Sequence, residues 1–230
     1  MPTTAGRVPA NGKIPLTSGL QLWLRSDLGI TIGTGVSAWA DQSGNGNNVV
    51  QATGSKQPTY SASDAAFNGQ ASLLFAIANL QTLGNAGWNL PQPMTMYAVG
   101  SIGVPTGLQA FIDSSAASEV FLGQTSASQH WYLYAGGNII GGKTNDAFPH
   151  AFCGVVNGAS SALYVDDSQV ADGSGASGAN ASQVLAIGGT TGTYLGGKIA
   201  EIIIYNVAHT AAQRETTFTY LSQRYGLSVN

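Results

Sequence analysis

AFCGVVNGASSALYVDD, residues 151–167, sets two short apolar segments either side of NGAS. Segments rich in β-branched and aromatic residues, separated by a gap this short with an Asn-Gly step, form an antiparallel hairpin. A second turn, around DDS, follows the second segment. The same grammar recurs along the chain. LQLWL (20–24), SLLFAI (72–77), MTMYAVGSI (94–102), AFIDS (110–114), VFLGQ (120–124), HWYLYA (130–135), VLAIGG (184–189) and KIAEIIIYN (198–206) stand between clusters of Gly, Asn, Ser and Pro. Consecutive hairpins of this kind build an all-β, two-sheet antiparallel sandwich, a jelly roll, rather than a parallel sheet. No repeat of fixed period is present, which disfavours a propeller or solenoid.

One helix is predicted, over about residues 210–225. Thr210 followed by Gln213 is a capping-box pattern, in which each side chain bonds a free backbone N–H of the first turn. Phe218, Leu221 and Tyr225 then form one apolar stripe, and Gly226 stands where a left-handed cap ends a helix.

The chain has 230 residues, 43% of them apolar, enough for one substantial core. Only 8% are charged, and 31 are Gly, so the surface is built from Ser, Thr, Asn, Gln and Gly. A net charge of −3 with no basic stripe argues against nucleic acid. No apolar run approaches the ~20 residues of a membrane span, and MPTTAGRVPANGKIP has no apolar stretch behind its charges, so neither a membrane anchor nor a secretion signal is expected. Residues 1–16, with Pro2, Pro9 and Pro15 and no periodicity, read as an extended arm ahead of a domain spanning 17–230. Pro2, Arg7, Pro9 and Lys13 are its candidate assembly contacts.

Several segments together resemble the laminin G-like (concanavalin A-like) jelly-roll domains found in bacterial surface proteins and bacteriophage virion proteins. They are LQLWL, AWADQSGNGN (38–47), QPTY (57–60), NGQASLLF (68–75), ALYVDDSQV (162–170) and GKIAEIIIYN (197–206). LSQRYGL (221–227) matches the way such domains end, and the resemblance covers residues 18–227. It implies ligands bound on the concave face or at rim loops, and an early Trp packed in the core. Trp23 and Trp39 are assigned to that core.

Within this frame Asp41 has two readings. As a turn acid it accepts backbone N–H bonds in a loop whose Asn and Gly residues reach left-handed angles cheaply. As a metal ligand it joins loop carbonyls around Ca²⁺. Many relatives pair such an ion with two acids on the last strand; here those positions are Ala200 and Glu201, so one acid is missing. The turn acid is therefore the expectation, with no cofactor, and Asp41 with Glu201 the candidate pair if calcium is bound.

Enzymatic chemistry finds no constellation. Glycoside hydrolysis needs two opposed carboxylates, and the hydrolases of this fold place theirs in an E-x-D-x-x-E run, which is absent. The adjacent Asp166 and Asp167 read as a solvated turn. His130, His150 and His209 lack zinc spacing, and no G-x-S-x-G elbow occurs. Cys153, the only cysteine, reads as a buried strand residue; His150 lies three positions away and so on the opposite strand face. For sugars the relevant feature is an aromatic plane flanked by amides. Trp88, in GNAGWNLPQP read as a polar loop, leads, with folding back as a lid over the core its alternative. Trp131, read with Tyr134 as half-buried strand, and Tyr194, in TTGTYLGG, follow.

The expectation from sequence is a non-enzymatic virion structural protein, a phage capsid decoration or fibre module assembled in the host cytoplasm. It would dock on capsid or tail subunits or on copies of itself, and carry a glycan-binding capacity. That reading leans on a chain beginning at its own Met without signal or anchor. The alternative is a lectin-like module of a bacterial surface or extracellular protein, and a carbohydrate-active enzyme ranks last.

Overall fold

A computed structural model describes residues 12–103, 106–114, 119–126, 128–167 and 171–228. The chain runs through β1 (Leu20–Arg25), β2 (Ile30–Ile32), β3 (Val36–Trp39), β4 (Val49–Val50), β5 (Thr59–Asp64), β6 (Gln70–Phe75), β7 (Leu83–Leu90) and β8 (Met94–Ile102). It continues through β9 (Gln109–Asp113), β10 (Phe121–Gln124), β11 (His130–Tyr134), β12 (Asn138–Thr144), β13 (His150–Val156) and β14 (Ser161–Val165). β15 (Gly173–Gly175), β16 (Ser182–Ile187), β17 (Gly197–Tyr205) and helix α1 (Ala211–Tyr225) complete it. The first sheet has the order β15-β14-β13-β8-β17-β6-β5, with β1 added beside β17; the second has the order β12-β11-β10-β9-β16-β7-β4-β3-β2. Every strand segment expected from sequence falls on a strand, and 151–167 is the β13–β14 hairpin, with Gly154 opposite Leu163.

Alternation along the strands sorts the apolar residues into two cores. Between the sheets lie Leu22, Leu24, Trp39, Met94, Met96, Phe111, Trp131, Phe152, Ile202 and Ile204 among others. On the other side of the first sheet, Trp23, Tyr97, Cys153, Ile203 and Tyr205 pack under Phe218, Leu221 and Tyr225 of α1. Burying one such side chain contributes roughly 1.5–3 kcal/mol. α1 begins as expected: Gln213 N–H donates to Thr210 Oγ1 at 3.4 Å, and Thr210 N–H to Gln213 Oε1 at 2.8 Å. It ends on Gly226 at φ 66°.

Packing starts before residue 17. Ile14 is buried in the helix-side core, Tyr205 O–H donates to the Leu16 carbonyl at 3.1 Å, and Arg25 reaches the Gly12 carbonyl. Lys13 is exposed; Pro2, Arg7 and Pro9 lie outside the described residues.

One irregularity matters for the acids. Along the edge away from β8, β17 pairs first with β6 (Gly197–Ile199) and then with β1, while its register against β8 slips between Ile199 and Glu201. The slip is a bulge at Ala200. It turns both Ala200 and Glu201 toward the helix, where strict alternation would have sent Glu201 between the sheets.

Candidate functional site

Among the described residues no helix covers the outer face of the second sheet. Val49, Leu83, Leu185 and Ile187 point between the sheets, so Val50, Gly84 and Ala186 point outward. Gly84 lies opposite both Val50 and Ala186 across the ladders. These small residues make a low floor, with Val50 (56% exposed) and Val184 (45% exposed) as its sides. The result is a trough of about 640 Å³, bordered by Asn85, Thr82, Thr190, Thr191 and Tyr194.

Tyr194 stands on the loop that crosses from β16 to β17, residues 188–196, and β9 pins this loop from beneath. Gly188 N–H donates to the Phe111 carbonyl at 3.0 Å, Ala110 N–H to the Thr193 carbonyl at 3.0 Å, and Gly196 N–H to Gln109 Oε1 at 2.8 Å. The Asp113 carboxylate, fully buried, takes Thr190 Oγ1–H at 2.8 Å, Thr193 Oγ1–H at 2.5 Å and Ser114 N–H at 2.7 Å. Gly189 has φ 88°, and a Cβ there would stand 2.3 Å from the Thr193 carbonyl oxygen, so the turn requires glycine. Beside Asp113, Glu119 has its carboxyl raised above the usual range, first by burial and then by the Asp113 charge.

Beyond Tyr194 the trough continues. Tyr194 and Thr191 also border a hollow of about 510 Å³, and Ile77 and Thr106 of that hollow border a third of about 890 Å³. Phe148, 68% exposed, stands on the third. Among the described residues the only charged side chain bordering the three is Lys198, whose Nζ is tied to Asp64 Oδ2 at 2.7 Å.

Two of the three aromatic candidates are not available to a ligand. Trp88 lies in β7 rather than a loop, 5% exposed within the inter-sheet core, and its Nε1–H donates to Ser182 Oγ at 2.9 Å. Pairing with β16 makes a strand of GNAGWN, whose Gly and Asn content suggests a loop. Trp131, 1% exposed, packs edge-on to Phe152 at 4.6 Å between centroids and so is core rather than half-buried. Tyr134 is half-buried, its ring 6.2 Å from Tyr132.

Asp41 accepts Trp23 N–H at 3.0 Å, Ser43 N–H at 2.8 Å, Ser43 Oγ–H at 2.7 Å and Asn47 N–H at 2.9 Å, the geometry of a turn acid. Glu201 is buried beneath α1, receiving Trp23 Nε1–H at 2.5 Å, Tyr220 O–H at 3.0 Å and Tyr225 O–H at 2.7 Å. Burial raises its pKa, against the opposing pull of those donors and of Arg224. The two carboxylates share Trp23, one by its backbone and one by its indole, and each is occupied by donors rather than facing the other across a vacant centre. Among the described residues no group of three His, Cys, Asp or Glu side chains is placed to hold a metal.

Asp166 is not a solvated turn residue: it accepts Ala151 N–H at 2.8 Å and bonds His150 Nδ1, while His150 Nε2 meets Asp146 Oδ1 at 2.8 Å. With a carboxylate on each ring nitrogen, His150 must donate from both. Its pKa is lowered by burial and raised more strongly by Asp166 and then Asp146. Cys153 is buried on the helix side, away from His150, and burial pushes its thiol up to about 12. The Asp113–Thr190–Thr193 set was missed from sequence because its members stand 77 and 80 positions apart, with no local pattern to join them.

No family model and no curated protein matches the sequence. Among solved structures, a sialidase of Trypanosoma rangeli with sialic acid is similar over 91% of this chain and 34% of that chain, at 18% identity and TM-score 0.55. The chain thus spans about a third of the sialidase. The binding domain of Paraclostridial Mosquitocidal Protein 1 is similar over 87% of this chain and 52% of that one, at 13% identity and TM-score 0.61. Domain 4 of AbnA, a GH43 extracellular arabinanase of Geobacillus stearothermophilus solved with arabinotriose, is similar over 88% of this chain and 98% of that domain, at 14% identity and TM-score 0.59. At these identities the likeness is one of fold, and the chain folds as a concanavalin A-like β-sandwich.

Proposed function

We propose that the chain is a carbohydrate-binding module of the lectin-like kind, at a cell surface or outside the cell, with no hydrolytic activity of its own. The observation that carries this reading is the loop 188–196, which is held rigidly from below and presents Tyr194 over a trough edged by hydroxyl and amide groups. A ring beside such groups suits a sugar's apolar face and its hydroxyls together, and a pre-set loop lowers the ordering cost of binding. That the neighbours include a toxin's binding domain and an arabinanase domain holding arabinotriose supports the same reading. The virion role expected from sequence draws less support: where its arm is described, at Ile14, it packs on its own domain. No helix among the described residues is long and apolar enough to cross a membrane.

What supports a non-enzymatic role is the employment of the acids. Glu201 lies under α1, Asp113 under the loop, Asp41 inside its turn and Asp166 on His150. Affinity electrophoresis of the purified chain against a panel of polysaccharides tests the proposal. At least one neutral polysaccharide should retard the wild type and not Tyr194→Ala, with no new reducing ends released. No retardation by any member, or turnover by the wild type, sinks it.

A further inference from the structure

The three hollows adjoin in series. Tyr194 and Thr191 border both the first and the second, and Ile77 and Thr106 both the second and the third, so each neighbouring pair shares part of its lining. Each alone, at about 640, 510 and 890 Å³, is in the range that accommodates a drug-sized ligand, of roughly 300–1,000 Å³. A single sugar leaves most of the series empty. Two rings stand along it, Tyr194 at the junction of the first two hollows and the strongly exposed Phe148 on the third. Two platforms along a series of adjoining hollows suit an extended chain better than a terminal sugar.

Charge narrows the ligand further. Among the described residues no cation borders the first two hollows, the one on the third is paired with Asp64, and the buried Asp113 carboxylate holds Thr190 of the first from beneath. An anionic sugar would lose hydration here without gaining a partner. Resting on the reading of this site as carbohydrate-binding, we infer that it recognises an internal stretch of a neutral linear polysaccharide, which passes over Tyr194 and reaches Phe148.

The test is isothermal titration of the whole chain with graded oligosaccharides. Arabino-, xylo- and cello-oligosaccharides, from the monosaccharide to the octasaccharide, form the neutral arm; oligogalacturonides and sialyl-oligosaccharides form the charged arm. In at least one neutral series affinity should climb with length before levelling off. Tyr194→Ala should weaken every length. Phe148→Ala, at an exposed position that does not threaten folding, should weaken only the longer members, by roughly tenfold, the value of one aromatic contact. A monosaccharide binding as tightly as the longest member, a charged series binding more tightly than the neutral ones, or Phe148→Ala acting equally at all lengths overturns this inference and leaves sugar binding standing. No binding by any series removes the two together.

Discussion

The outward faces of the two sheets start from the same alternation and end in opposite states. Behind the first sheet stand Trp23, Tyr97, Tyr205 and Ile203, large side chains that only a helix could cover, and α1 covers them. Behind the β4–β7–β16 part of the second sheet stand Gly84, Ala186, Val50 and Val184, a low floor beside which loop 188–196 rises, while Phe121, Tyr132 and Tyr134 pack on one another farther along the same face with no described helix over them. Both faces contain a buried carboxylate that no solvent reaches, Glu201 on one and Asp113 on the other. On the covered face the acid joins sheet to helix through Trp23, Tyr220 and Tyr225; on the open face it holds two threonines of the loop in place. The difference teaches that a helix closes one outward face into a second core, while a stretch of small residues on the other leaves room for a trough.

The largest effect expected on the covered face comes from Phe218→Ala. Phe218 is buried edge-on to Tyr97 at 5.9 Å between centroids, and its removal should cost about 3–5 kcal/mol in chemical denaturation. Below its melting temperature the variant should bind oligosaccharide like the wild type. Altered affinity in the folded variant would break the separation of the two faces.

Asp41→Ala comes next. Its loop, beside β1, belongs to the structural side: four donors lose their acceptor, and the cost should be on the order of 1–3 kcal/mol. The wild type should melt identically with and without chelator. A calcium-dependent melting temperature in the wild type that disappears in Asp41→Ala would move this loop to the ligand side of the comparison.

The smallest effect is set by pH. His209 is buried in the covered face, its Nδ1 2.9 Å from Tyr97 Oη, and burial, followed by Arg214, holds its pKa down to about 4. The unfolded chain takes up this proton near pH ~6.5, the folded one near 4, so stability falls as pH drops through that window. His150 acts in the opposite sense. With its pKa raised, it contributes stability below pH ~6.5 that is lost as pH rises through its folded value. Glu201, also raised, opposes His209 on acidification. The net change between pH 7 and 5 should be on the order of 1 kcal/mol. Melting curves of His209→Gln against wild type isolate the first contribution: the variant should lose less stability on acidification. Parallel curves would show that His209 does not titrate differently in the folded chain.

What could be read in the sequence was local. The helix was legible to the residue, because Thr210, Gln213 and Gly226 act within one turn of themselves. The strongly apolar strands were legible by alternation. β7 was not, because eight residues with two Gly and two Asn become a strand only through a partner about a hundred positions on, and Trp88 was misplaced with it. Of the aromatic candidates, Tyr194 kept its place beside a groove, since its own turn chemistry, TTGT, puts it on a loop. The direction of Glu201 depends on a one-residue slip in β17 that no composition records, and the role of Asp113 depends on a crossing of the chain from one sheet to the other.

The place of β17 has a consequence for how the chain is made. It separates β8, β13, β14 and β15 on one side of the first sheet from β1, β5 and β6 on the other, and among the described strands of that sheet it is made after all the rest. Until it is made, the ribosome-bound chain holds two half-sheets, each ending on an unsatisfied apolar edge, at β8 and at β6. Completion of the first sheet is therefore delayed until residues 197–205 have been made, and until then edge-to-edge misassociation is the competing reaction.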